Sequence, residues 1–348
     1  MQIDKNKPVM VTGATGYVAG WLVKRLLAEG ITVHAAVRHP DRPEKVAHLD
    51  ALAAELPGQL KYFQADLLTE GAYAAAMADC EVVFHTASPF ILKFDDAQRD
   101  LVDPALKGTR NVLSSVNATP SVKRVVLTSS CASIYGDNID LQQTENGVFT
   151  EADWNTSSSL THQPYSYSKV MAEKAAWEMA DAQQHWDLVV VNPSLVIGPG
   201  ISADATSASF DIARQMGDGT MKMGVPAFNI GAVDVRDVAE MHYLAAYTPA
   251  AQGRYVTSAE NTGFLELASY LLADYGDTYP LPTRQLPKWL VWLIAPSAGM
   301  TRASVSKNIG LPWRASHAKA AQALGMQFRP LAPGMREMFQ QLIDAGQI

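Results

Sequence analysis

The run Val9-Met-Val-Thr12-Gly13-Ala-Thr15-Gly16-Tyr17-Val18-Ala19-Gly20 constrains the chain more than any other stretch. A short apolar strand ends in a glycine turn, and a helical pattern opens directly after it. Gly13 permits the tight turn, Gly16 lets a backbone come close to a bound group, and Ala19 allows tight packing of helix on strand. The exposed amides and the helix N-terminus then stabilise a pyrophosphate. With Thr15, Tyr17 and Val18 completing the turn, this is a dinucleotide-binding pattern.

The segments that follow keep the same rhythm. Val9–Thr12, Thr32–Arg38, Leu60–Ala65, Glu81–Thr86, Lys123–Ser130 and Asp187–Asn192 read as strands. Between them, Tyr17–Glu29, Pro43–Leu56, Arg99–Asn117 and Tyr165–Gln184 read as helices. Alternation at this spacing predicts an α/β fold, a Rossmann-type doubly wound parallel sheet covered on both faces. After Asn192 the pattern is interrupted by Pro193, Pro199, Gly200, Gly217, Gly219, Gly224 and Pro226. A strand at Arg254–Thr257 and helices at Phe264–Asp274 and near Met335–Ala345 follow. We expect residues 1–197, joined by about 234–258, to form the cofactor-binding domain. Residues 198–233 and 259–348 should form a smaller C-terminal substrate-binding lobe over the sheet edge. Trp289 and Trp292 with Leu293 could line a substrate cleft or serve as core of that lobe, and core packing is the preferred reading.

The end of the second strand separates the two nicotinamide cofactors. An NAD site places an acid there for the ribose 2′-hydroxyl. This chain has Ala35-Ala36-Val37-Arg38 instead. Arg38 offers a planar charged fork for a 2′-phosphate, and Lys45 on the next helix reaches toward the same group. NADP (NADPH) is the expected cofactor.

Tyr165-Ser-Tyr-Ser-Lys169 opens a helix, so its first and last residues share one face. A nearby ammonium should lower the phenol's pKa and make Tyr165 a general acid for a carbonyl undergoing reduction. Ser130, at the end of the strand Val125–Ser130, supplies a hydroxyl for the same substrate oxygen. Adjacent strand residues face opposite ways, so Ser129 should point elsewhere.

Composition narrows the remaining choices. The 348 residues carry a formal charge of -7 with no basic stripe, which argues against nucleic acid as the main partner. Two cysteines, Cys80 and Cys131, are too few for a disulfide framework or a cysteine zinc site. No metal is expected, and His85 and His162 read as core or loop residues. The N-terminal stretch lacks a signal-peptide h-region, and Trp289–Ala295 is too short to span a bilayer. A cytoplasmic monomer or homodimer acting on a small molecule, with no membrane partner, is the expectation.

Taken together, these motifs resemble those of the extended short-chain dehydrogenase/reductases, in the branch of dihydroflavonol, cinnamoyl-CoA and yeast methylglyoxal/ketone reductases. VTGATGYVAGWLV, VRHPDRPEKVAHL, CEVVFHTASPF, VKRVVLTSS, YSYSKVMAEKAAWEMA, NPSLVIGP and VDVRDVAEMH carry the resemblance. It implies a Ser130–Tyr165–Lys169 triad, with Lys169 also holding the nicotinamide ribose. It further implies Asp66 and Leu67 beside the adenine, Thr86, Ala87 and Ser88 along the cofactor channel, and Pro193 and Val196 at the nicotinamide amide. Tyr135 stands where plant dihydroflavonol reductases carry a flavonoid-contacting asparagine, and no NWYCY-like motif is present. The resemblance therefore points to an aldehyde, ketone or diketone reductase. Two alternatives are a sugar-nucleotide epimerase or dehydratase and a non-catalytic NADP sensor. The first generally has an Asp-Glu pair where this chain has Cys131-Ala132, and the second usually lacks the tyrosine or lysine.

Overall fold

Strands that are apolar on both faces need a layer of helices on each side, and the chain supplies them by strict alternation. The computed structural model describes residues 1–88, 94–202 and 207–348. Its first half runs β1 (Val9–Thr12), α1 (Tyr17–Ala28), β2 (Thr32–Val37), α2 (Pro43–Glu55), β3 (Gln59–Gln64), α3 (Ala74–Met77) and β4 (Val82–His85). Next come α4 (Asp103–Asn117), β5 (Arg124–Thr128), α5 (Pro164–Asp181) and β6 (Asp187–Pro193). The second half holds β7 (Leu195–Ile197), α6 (Ala208–Gly217), β8 (Val225–Pro226), β9 (Asn229–Asp234), α7 (Val235–Tyr247) and β10 (Gly253–Thr257). It ends with β11 (Glu260–Gly263), α8 (Phe264–Tyr275), β12 (Gln285–Leu286), α9 (Lys288–Ile294), α10 (Arg302–Asn308), α11 (Ala318–Leu324) and α12 (Leu331–Asp344).

Among the described residues, seven strands form one parallel sheet in the order β10-β6-β5-β4-β1-β2-β3. The chain moves outward from β1 to β3, then returns to lay β4 on the other side of β1. This reversal opens a crevice at the carboxyl ends of β1 and β4, where ligands bind in such sheets. One face of the sheet packs on Leu22, Leu26 and Leu27 of α1, Met241 and Ala245 of α7, and Ala320 and Leu324 of α11. The other packs on Met77, Val112, Val116 and Ala176. A separate apolar cluster joins Phe210 and Met216 of α6, Leu267 and Leu271 of α8, and Met335 and Phe339 of α12. Strands β7, β9 and β11 form a small mixed sheet, with β7 and β9 parallel and β9 and β11 antiparallel.

Most differences from the sequence reading lie in the second half. Helix α6 and strand β9 occupy the stretch expected to be irregular, because glycines and prolines at its margins obscure two short elements that pack on α12. The core expectation for Trp289, Trp292 and Leu293 is overturned, since they are 68%, 41% and 56% exposed. Helix α9 is apolar nearly all round but has only one packed face, and that face buries Val291 beside Val305 and Ile309. Residues 89–90 of one family motif and residues 203–206 lie outside the described residues. Among the described residues no helix is long and apolar enough to cross a membrane.

Arg124 ties the far side of the sheet together. It is 1% exposed and holds Asp187 through two bonds of 2.7 and 2.8 Å. It also donates to the carbonyls of Ala245, Ala246, Thr248 and Ala251, which fixes the end of α7 to β5 and the approach to β10. Arg124→Ala would leave those carbonyls without their donor and Asp187 without its partner. We expect it to lower the unfolding free energy by about 3–5 kcal/mol in urea titrations, as for broken buried pairs. A loss below about 1 kcal/mol would show that water replaces the guanidinium at little cost.

Candidate active site

At the end of β1 the backbone enters the left-handed region at Gly13, with φ of +61°. A Cβ there would stand 3.1 Å from the Ala87 Cβ, so the turn tolerates only glycine without movement. The Gly13 amide donates to the Ala36 carbonyl at 2.9 Å, which holds the turn over the sheet edge. Helix α1 begins next, and no side chain caps its N-terminus. The first amides of α1 thus lack a side-chain acceptor, with Thr15 and Gly16 exposed beside them, a cradle suited to an anionic phosphate, while the Gly16 amide itself donates to the Gly13 carbonyl at 2.9 Å. Tyr17 does not add its hydroxyl to this cradle, because it donates to the Gly198 carbonyl at 2.6 Å. Val18 is half-buried beside it.

Thr12 links this turn to the end of β4. Its hydroxyl accepts from the amides of Thr86 and Ala87 at 3.0 and 2.9 Å, and Thr86 Oγ1 donates to the Thr12 carbonyl. His85 Nδ1 lies 3.1 Å from the same hydroxyl. Burial, helped by the charge of Lys169, pushes His85 down to about 3, so it remains a neutral core residue. Ser88, next after Ala87, brings in α5, since Lys169 Nζ donates to Ser88 Oγ at 2.9 Å.

Tyr165 and Lys169 stand one turn apart on α5, with the ammonium 5.7 Å from the phenol ring centroid. Ser130, extended at φ -163°, places its hydroxyl against the Tyr165 phenol. The three expected groups are thus brought together. Burial pushes Tyr165 up to about 12, while the Ser130 hydrogen bond pulls the other way. Although the ring is partly exposed, its hydroxyl is the desolvated end. In this structure desolvation outweighs the lowering effect expected from the ammonium. Burial likewise pulls Lys169 down to about 8, against the opposing pull of Glu173. A cavity of about 20 Å³, roughly one water in size, lies among Ser88, Thr128, Ser129, Lys169 and Glu173.

Ser129 turns away from this group and donates to Glu173. The sequence reading missed Glu173, which is buried and two turns beyond Tyr165 on α5. Its carboxylate also accepts from Asn192 at 2.9 Å and Arg254 Nε at 2.6 Å, with Ser133 Oγ 2.6 Å away. Asn192 Nδ2 and Ser133 Oγ in turn lie 3.2 and 2.7 Å from the Ser130 carbonyl. Arg254 is completed by the carbonyls of Glu151 and Asp153 and stacks 4.0 Å over Trp154. A glutamate on the same face as Tyr165 and Lys169, inside an otherwise apolar stretch, was the available signal.

The remaining positions surround the crevice. Arg38 is exposed just past the end of β2, and among the described residues no side chain bonds its guanidinium. Lys45 is exposed in the first turn of α2. Asp66 is exposed and accepts from the Leu68 amide, while Leu67 packs where a Cβ on Gly108 would stand. Pro193 ends β6, buried, and Val196 pairs with Val233 with its carbonyl taken by Ser209.

The chain resembles known proteins over most of its length. Residues 9–257 match the model of the NAD dependent epimerase/dehydratase family. A cinnamoyl-CoA reductase of Medicago truncatula is 37% identical over 339 residues, covering 96% of this chain and 95% of that protein. An anthocyanidin reductase of Vitis vinifera is 37% identical over 288 residues, covering 80% and 83%. The yeast methylglyoxal/isovaleraldehyde reductase complexed with NADPH superposes with a TM-score of 0.77 at 26% identity, covering 98% of this chain and 100% of that one.

Glu173 supplies the negative charge that holds the Lys169 ammonium up against burial. Glu173→Gln keeps the shape and removes the charge, so NMR titration of the Lys169 Cε should give a midpoint below the present value of about 8. An unchanged midpoint would remove Glu173 from the electrostatics of the site.

Proposed function

Given that the chain belongs to the NAD dependent epimerase/dehydratase family, we propose that it is an NADP-dependent reductase converting an aldehyde, ketone or diketone reversibly to the alcohol. One observation carries this reading. A desolvated phenol sits against a strand-end hydroxyl and one turn from an ammonium, beside the crevice of a glycine-turn sheet. The similarity to three reductases, one of them complexed with NADPH, supports the same class.

The residues present fit the dinucleotide. Gly13 lets the turn close against Ala87, where a Cβ would not fit, and α1 offers uncapped amides to the pyrophosphate. Arg38, with Lys45 nearby, would pair with the 2′-phosphate. Asp66 and Leu67 would flank the adenine, Thr86, Ala87 and Ser88 the central channel, and Pro193 and Val196 the nicotinamide amide. When bound, NADPH supplies hydride to the carbonyl carbon.

The chain's own groups handle the oxygen. Ser130 donates a hydrogen bond to the carbonyl and thereby favours the negative charge that grows there. Tyr165 gives the oxygen its proton. A phenol pushed upward by burial keeps that proton at neutral pH, which a general acid requires. Lys169, charged below about pH 8, stabilises the phenolate left behind and binds the ribose. A sugar-nucleotide epimerase or dehydratase is less well supported, because the positions after Ser130 are the buried Cys131 and Ala132 rather than carboxylates. A non-catalytic NADP sensor has no use for the intact tyrosine–lysine pair.

Two substitutions test the reading. Tyr165→Phe should cut turnover at least about a hundredfold while NADPH affinity stays nearly unchanged. Absorbance loss at the NADPH band with a panel of aldehydes, ketones and sugar nucleotides measures this, and retained turnover would refute the proton-donor role. Arg38→Ala should raise the NADPH dissociation constant about tenfold or more and leave NADH little changed. Equal weakening of both in fluorescence titrations would exclude a 2′-phosphate contact.

A further inference from the structure

The segment leading into Tyr165 is fastened by a buried cluster that takes no part in the chemistry above. Asp137 is wholly buried, seven residues beyond Ser130. Its Oδ2 lies 2.6 Å from His162 Nε2, and its Oδ1 accepts from Asn308 of α10 at 2.7 Å and from Gln163 at 3.4 Å. The ammonium of Lys307 stands 3.5 Å from Asp137 and 3.4 Å from His162. The backbone of His162 is also committed, exchanging hydrogen bonds with Ser159 across a narrow turn.

Gln163 comes next, at φ +53° and ψ +51°. Among the described residues it shares positive φ with two other non-glycines, Asp79 and Asn146. Those are the residue types that tolerate the left-handed region, whereas glutamine is not. Such a conformation persists only where surrounding contacts impose it. Here they are the Asp137 bond to the Gln163 side chain, the His162 bond one residue earlier, and the bond from the Tyr167 amide to the Gln163 carbonyl. Pro164 then starts α5, with Tyr165 in its first turn. First-turn residues lack the full set of intrahelical bonds, so their placement depends on what precedes them.

We infer that His162 is a positioning residue: with Asp137 it forms a clamp that holds Gln163 left-handed, aims Tyr165 at Ser130, and fastens α10 to the catalytic helix. The inference rests on the reading of Tyr165 as the proton donor. The placement of Asp137 supports it, because a buried carboxylate is retained where its partners compensate its desolvation. Opposed to burial, the bonds from His162 and Asn308 hold its pKa below the usual carboxylate value. The carboxylate thus remains an acceptor for all three partners near neutral pH.

The test uses full-length protein carrying His162→Leu, which keeps bulk but loses the donor, and His162→Gln, whose amide can still reach Asp137. Tyrosine-selective ¹³C NMR follows the Tyr165 hydroxyl, which burial pushes up to about 12 in the parent. The leucine variant should ionise nearer the ordinary tyrosine value of about 10, as a loosened phenol regains water. The glutamine variant should stay with the parent. Turnover on the best carbonyl of the panel should fall about tenfold or more in the leucine variant, in kcat rather than KM, with NADPH affinity unchanged. Adding His162→Leu to Tyr165→Phe should cost no further turnover, because both act through one group.

A parent-like midpoint and parent-like kcat in His162→Leu would overturn the clamp, as would full additivity with Tyr165→Phe. If the midpoint moves but Tyr165→Phe retains turnover, the clamp stands and the proton-donor reading falls. Should the leucine variant fail to fold, His162→Asn, whose shorter amide falls short of Asp137, is scored by the same midpoint.

Discussion

Glu173 accepts hydrogen bonds from four side chains where helix α5, the end of β5, β6 and β10 converge. A carboxylate taken fully from water is tolerable only if its charge is matched and its lone pairs are filled. Arg254 supplies the charge, and Ser129, Ser133 and Asn192 fill the rest. Few other arrangements of these elements would satisfy all the groups at once. The network therefore acts as a register pin: if α5 slid by one residue, Glu173 would leave Arg254 unpaired and buried. Tyr165 and Lys169 share that helix, and the Ser130 carbonyl is held by Ser133 and Asn192 of the same network. The mutual placement of the three candidate groups is thus inherited from an ion pair that none of them touches directly.

The first half of the fold was legible because its signals are local. Strand runs such as Val125-Val126-Leu127 and the glycine turn after Thr12 state their structure within a few residues. The Ser129–Ser130 alternation was readable for the same reason, since pleat geometry decides it. Helix α6 and strand β9 were not legible, because α6 packs on the distant α12 while β9 is held between β7 and β11, and neither partnership is visible in the local sequence. The tryptophans of α9 misled for a related reason. Hydrophobic composition shows that a helix can be buried, while only the neighbouring α10 decides which face is.

The site divides along the same line. Tyr165, Lys169 and Ser130 were singled out as candidates by spacing on single elements. Glu173, Arg254, Asp137 and His162 were not, because their meaning is pairwise: Glu173 and Arg254 are separated by 81 positions and His162 and Asp137 by 25. A lone histidine in a loop reads as a loop histidine until its partner is known. The backbone of Gln163 shows a similar limit, since nothing about a glutamine announces positive φ. It becomes visible only once the contacts that impose it are seen.

Burial also bears on the direction in which the proposed reaction would run most readily. Desolvation penalises the charged form of both members of the pair, driving Tyr165 up to about 12 and Lys169 down to about 8. The resting combination near neutral pH is a neutral phenol beside an ammonium, which is the state needed to protonate a carbonyl oxygen. Alcohol oxidation needs the opposite, a phenolate ready to accept a proton, and must overcome the same desolvation. As pH rises through about 8, Lys169 loses its charge well before the Tyr165 phenol ionises. Raising the pH therefore does not simply convert this arrangement into a base. An added positive charge near the phenol, such as an oxidised nicotinamide ring would carry, would offset the burial penalty and open the reverse of the proposed reaction.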